Sequence, residues 1–165
     1  MNTAVHATHH HHHAPQNHDH TPSLTGMAVT ATLHCLTGCA IGEILGLVIA
    51  TSLGWGNASS IALAVLLAFV FGYGFTLVPL IRAGMTVGAA ASVALAADTI
   101  SIIVMEILDN ATMLVIPGAM DAGITDVLFW ASLALSFVVA FAVTVPVNRW
   151  LISRGRGHAV VHAYH

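Results

Sequence analysis

A chain of 165 residues in which 57% are hydrophobic and only 7% charged cannot build a water-facing surface, since soluble domains carry roughly a quarter charged residues. There is no Lys, the four Arg are Arg82, Arg149, Arg154 and Arg156, and the formal net charge is −3, so no basic face exists to bind nucleic acid. Two Cys cannot form a disulfide framework, and the compositional outlier is the twelve His.

Residues 1–25 are polar, His-rich and broken by Pro15 and Pro22, which reads as a disordered tail. The stretch lacks the basic n-region of a secretory signal, and the apolar segment after it is too long for a signal core, so no cleavage is expected. His6, His9, His10, His11, His12, His13, His18 and His20 make this tail a loose binder of divalent transition metals. An engineered tag would explain the run of five His, but the further His around it, and His158, His162 and His165 at the other end, favour a native metal-buffering role. Residues 26–152 then form a transmembrane domain, and 153–165 a short basic, His-bearing C-terminal tail.

Four apolar segments are predicted at Met27–Leu53, Ser60–Ile81, Val87–Ile116 and Val127–Leu151. Each has at least the ~20 residues that cross a ~30 Å hydrocarbon core as a helix. Gly54-Trp55-Gly56-Asn57, Arg82-Ala83-Gly84 and Pro117-Gly118 separate them, and Asn148-Arg149-Trp150 closes the last with interfacial residue types. Pro79 and Pro146 fall near span ends, where a missing donor costs little. The fold class is therefore all-α, a polytopic bundle of four transmembrane helices. Every Arg follows span two or span four, which puts both termini in the cytoplasm by the positive-inside bias.

Span one carries His34, Cys35, Cys39 and Glu43. At 3.6 residues per turn Cys35, Cys39 and Glu43 form a stripe, with His34 beside it. Thiolate with imidazole suits copper(I) or zinc; the plainer reading is two small packing thiols and an interhelical His. Gly38, Gly42 and Gly46 form a small-residue ridge that lets a neighbouring helix approach the stripe closely.

Span two offers only Gly72-Tyr73-Gly74 and Thr76, which read as scaffold. Span three carries Asp98, Met105, Glu106 and Asp109. Asp98, Met105 and Asp109 share a narrow arc, Ser101 and Thr112 edge it and Glu106 flanks it. Glu43 is expected at about the depth of Asp98, with Glu106 and Asp109 nearer the outer face. Asp109 and Asn110 alternatively sit hydrated in an outer vestibule, towards which Met113 and Met120 continue. Intramembrane carboxylates are costly, and no Arg or Lys lies at their depth, so a proton or a bound metal ion must balance them. Span four offers Ser132, Ser136 and Thr144, which could pack or hydrogen-bond and are again read as scaffold.

The strings from His34 to Glu43 and from Asp98 to Asn110 resemble a family of small four-helix bacterial membrane proteins known only as a domain of unknown function. The resemblance runs from His34 to Arg149 and omits the tails. It implies the four-helix fold and a bacterial inner-membrane location, and no activity. The small mercury-import proteins also carry a Cys pair in their first span, but theirs is adjacent and they lack a carboxylate-rich span.

These residues point to a transition-metal-binding membrane protein, a transporter or metal-handling factor. Its expected ligands are His34, Cys35, Cys39 and Glu43, extended by Asp98, Met105, Glu106 and Asp109. Copper(I) is favoured by the thiols and Met105, followed by zinc, nickel or cobalt, and a homo-oligomer is expected to enclose a path. A structural or assembly subunit of a larger membrane complex, with the polar residues as interhelical glue, is the alternative. A membrane oxidoreductase is the third class, weakened because one intramembrane His cannot supply two axial haem ligands and no nucleotide motif is present.

Overall fold

The computed structural model describes residues 23–154; the His-rich tails, and the metal-buffering role read into them, lie outside the described residues. Four helices follow one another: α1 Leu24–Ser52, α2 Asn57–Arg82, α3 Val87–Val115 and α4 Val127–Ser153. All four are long and apolar enough to cross a membrane, and among the described residues there is no strand. The predicted spans are all present, each shifted by at most three residues at either end. Both prolines lie inside their helices, Pro79 three residues before the end of α2 and Pro146 seven before the end of α4.

The helix limits follow local chemistry. Ser23 caps α1, its hydroxyl accepting from the Gly26 amide at 3.1 Å. At the other end Gly54 adopts φ 68°, and Trp55 N–H reaches back to the Ala50 carbonyl at 2.9 Å. Gly84 ends α2 in the same way, with φ 93° and the Met85 amide on Leu80 O at 3.1 Å. Only glycine enters that left-handed region without strain.

Neighbours in sequence pack as neighbours in space, and α4 returns to α1, so the bundle is a square with α1 and α3 meeting across the diagonal. The closest seam is α1 on α2, made by the predicted glycine ridge. A Cβ on Gly38 would lie 2.8 Å from Gly72 Cα, and one on Gly46 would lie 2.5 Å from Ala64 Cα. Backbones this close gain van der Waals contact where no hydrophobic effect operates between helices.

Leu33, Leu66, Val70, Ile103, Ile107 and Val138 point outward, as lipid-facing side chains do in a bundle that is apolar on its outside. The tryptophans sit at the helix ends. Trp150 packs beneath the Arg154 guanidinium, 4.4 Å from its ring centroid. Trp130, near the start of α4, donates to the Ile124 carbonyl at 2.9 Å. Trp and Tyr concentrate at the two membrane–water interfaces for this reason: an apolar body with a polar handle. The α2–α3 connection, the start of α1 and the end of α4 share one end of the bundle, here the tail end. The α1–α2 and α3–α4 connections share the other, the loop end.

A buried polar column as the candidate functional site

All four predicted intramembrane carboxyls are buried, Glu43 at 5% exposure, Asp98 at 3%, Glu106 at 7% and Asp109 at 2%. Arg82, Arg149 and Arg154 are exposed at the helix ends, so none enters the interior to balance these groups. The acids line the inside of a column that runs along the bundle axis.

The tail-end portion of the column is a hydrogen-bonded tie across three helices. Asn148 of α4 donates through Nδ2 to Thr32 Oγ1 of α1 at 2.8 Å, and its Oδ1 accepts from Ser101 of α3. Asp98 lies one turn from Ser101 on the same buried face of α3.

Sulfur fills the middle. Cys35, Cys39 and Met105 belong to one buried cluster, closed by Ala68, Ile102 and Ala140. Both thiols are free and in contact with each other. A single turn separates them along α1, which is why they meet. Glu106 reaches the Cys39 thiol from α3. The glycine seam matters here, because a Cβ on Gly72 would sit 3.6 Å from Cys39 Sγ. Close approach by α2 thus forms one wall of the sulfur cluster.

Nearer the loop end, Glu43 of α1 meets Asp109 of α3 carboxyl to carboxyl. Ser136 of α4 donates to Asp109 Oδ1, while Asp109 Oδ2 and Glu106 Oε2 have no hydrogen-bond donor among the described residues. An ionised carboxyl is an acceptor only, so a facing pair holds together only with a proton or a cation between its oxygens. Beyond Glu43 a cavity of about 380 Å³ opens towards the loop end, lined by Asn57, Asn110, Met113, Met120 and Asp121 among others.

Seven of the eight predicted ligands are therefore buried along one column but not at one point, and His34 stands at its side. Among the described residues no three His, Cys, Asp or Glu side chains converge as metal ligands. His34 packs edge-on against Phe75 of α2, ring centroids 5.6 Å apart and planes at 76°, on the flank of the sulfur cluster. Glu43 is level with Asp109, not with Asp98 as expected. It lies nearly as far along α1 as Asp109 lies along α3, whereas Asp98 lies well short of halfway. The vestibule foreseen for Asp109 and Asn110 exists, but only Asn110 lines it and Asp109 is sealed behind Glu43.

Reading α4 as scaffold able to hydrogen-bond allowed for Ser136 but missed Asn148 as a member of the column. Asn148 is 4% exposed. A signal was present: Ser132, Ser136, Ala140, Thr144 and Asn148 recur every four residues, and all are buried. Such spacing keeps one helix face inward.

Four apolar helices around a polar axis define a multi-pass helical-bundle membrane protein. Residues 26–157 match a family described as a domain of unknown function, DUF4396, and the chain belongs to that family. No curated protein and no solved structure matches the chain.

Proposed function

We propose that the chain is a transition-metal-binding membrane protein, a transporter or membrane metal-handling factor, with copper(I) as its ion. One observation carries the reading: Cys35, Cys39 and Met105 share a buried cluster at mid-bundle. Copper(I) is soft and is satisfied by thiolate and thioether sulfur. Zinc sites take three or four protein ligands drawn from Cys, His and carboxylate, and no such set converges among the described residues. That favours copper over zinc, nickel and cobalt. Binding deprotonates the thiols, and the single positive charge of the ion offsets one of the two thiolates it binds.

In this reading Glu106, on Cys39, and the Glu43–Asp109 pair continue the path from the sulfur cluster towards the loop-end cavity. Asp98 and the Asn148 tie continue it towards the tail end. Arg82, Arg149 and Arg154, near the tail end, support an orientation with both termini in the cytoplasm of a bacterial inner membrane. The His tails then buffer metal on that side. A single square of four helices leaves little lumen, so a homo-oligomer completes the path. A Cu(I) titration of the purified protein against a competing chelator tests the reading. Cys35→Ser is expected to weaken the tightest site by at least about tenfold; equal affinity in the two proteins would refute it.

A second reading is favoured by a different observation. The Thr32–Asn148–Ser101 tie and the Ser136–Asp109 bond are interhelical glue of the kind an assembly subunit of a larger membrane complex would use.

A further inference from the structure

α2 is the least buried of the four helices, and its outward side is not flat. Val70, Phe71, Gly74, Phe75, Val78 and Pro79 line an apolar groove of about 490 Å³ there. Gly74 gives the groove its depth, since nothing lies within 4 Å of a Cβ built on it. From Val70 to Pro79 the helix climbs roughly 14 Å at 1.5 Å per residue, about half of a ~30 Å hydrocarbon core and so the depth of one leaflet. At 3.6 residues per turn Arg82 falls in the middle of the arc set by these six residues, one turn beyond Val78. Arg82, Arg149 and Arg154 are exposed at the tail end, whereas the exposed carboxylates among the described residues, Asp121 and Asp126, belong to the loop end. Neither the α2–α3 connection nor the first turns of α1 and α3 carry an acid.

We propose that this face of α2 holds one anionic phospholipid of the tail-end leaflet, with its phosphate on Arg82 and an acyl chain in the groove. A guanidinium matches a phosphate with two parallel hydrogen bonds, and no carboxylate at that end competes for it. The groove offers a hydrocarbon chain dispersion contact along the depth of its leaflet. A second copy of the chain fits this face less well. An isologous contact joins the same patch of both subunits, so two Arg82 would be brought together with no acid between them. The site uses none of the column residues and rests on the membrane-spanning bundle, not on the copper reading.

The test uses full-length protein, delipidated in detergent near pH 8, where the His tails are neutral. It is titrated with phosphatidylglycerol or with phosphatidylcholine of the same chains, and native mass spectrometry counts the lipid bound. The tightest site is expected to take one phosphatidylglycerol, about fivefold more tightly than phosphatidylcholine, and Arg82→Gln is expected to remove that difference. Arg149→Gln, on the diagonally placed α4, leaves the tight site intact, which separates it from general surface charge. Gly74→Leu fills the groove and lowers the affinity for both lipids, while unfolding in lipid-free detergent matches wild type. Should Gly74→Leu not fold, Arg82→Gln decides alone. Equal affinity of the wild type for the two lipids overturns the proposal, as does a phosphatidylglycerol affinity that Arg82→Gln leaves unaltered. A dimer that excludes lipid and is lost in Gly74→Leu would assign the face to a second copy and overturn it too.

Discussion

Gly42 of α1 lies so close to Leu67 of α2 that a Cβ on Gly42 would fall 2.3 Å from the Leu67 carbonyl oxygen. This contact fixes the rotation of α1, and with it the inward direction of Cys35, Cys39 and Glu43. Gly42→Ala must push two backbones apart. It is expected to destabilise the bundle by about 3 kcal/mol, the upper part of the usual overpacking range. Gly74 is the control, because nothing lies within 4 Å of a Cβ built there. Gly74→Ala should leave thermal unfolding in detergent unchanged or slightly raised. Equal losses in both variants would disprove the seam.

The tie at the tail end predicts energetic coupling between helices distant in sequence. Interhelical hydrogen bonds in membranes average about 0.6 kcal/mol and reach about 1.7 kcal/mol. Asn148 makes two of them, to Thr32 and Ser101, so Asn148→Leu should cost about 1 kcal/mol. A double-mutant cycle with Thr32→Ala should recover a positive coupling energy. Strict additivity of the two changes would mean that the bond contributes nothing.

The span limits were legible in the sequence because punctuation and hydropathy act locally. Gly54, Gly84 and Pro117 stop helices whatever the helices pack against. The inward faces of α1 and α3 were legible too, since burying carboxyls away from lipid is obligatory. The relative stagger of those helices was not. It is set by side-chain packing across the diagonal, and so the depth of Glu43, level with Asp109 and not with Asp98, left no mark in either helix alone. The position of His34 against Phe75 has the same origin, a contact with α2 that spacing along α1 does not specify. Asn148 was misread for another reason. Its neighbours Arg149 and Trp150 are exposed interfacial types, and only the four-residue recurrence back to Ser132 marks it as inward-facing.

Asp98 separates the metal-binding reading from the glue reading. Asp98→Asn removes a charge while keeping shape and hydrogen-bonding capacity, whereas Asp98→Leu removes both. If the carboxylate helps to balance a bound cation, Asp98→Asn should lower the metal content of the purified protein with thermal stability unchanged. Normal metal content in Asp98→Asn, together with a destabilised Asp98→Leu, would assign Asp98 to the glue role.

Topology follows from the arginines. Reporter fusions at Gly56, in the α1–α2 connection, and at Gly155, just after α4, are expected to report opposite compartments, with Gly155 cytoplasmic. An external Gly155 would reverse the orientation and place the loop-end cavity on the cytoplasmic side.

The central claim is that sulfur from Cys35, Cys39 and Met105 holds copper(I) inside the bundle. X-ray absorption at the copper edge tests it on the full-length protein, because sulfur and imidazole nitrogen scatter at distinguishable distances. With one equivalent of Cu(I), the account predicts scattering dominated by sulfur in the wild type. The Cys35→Ser, Cys39→Ser double variant should lose that signal and retain only the nitrogen shell of the His tails. A wild-type spectrum containing nitrogen alone, unchanged in the double variant, would contradict it.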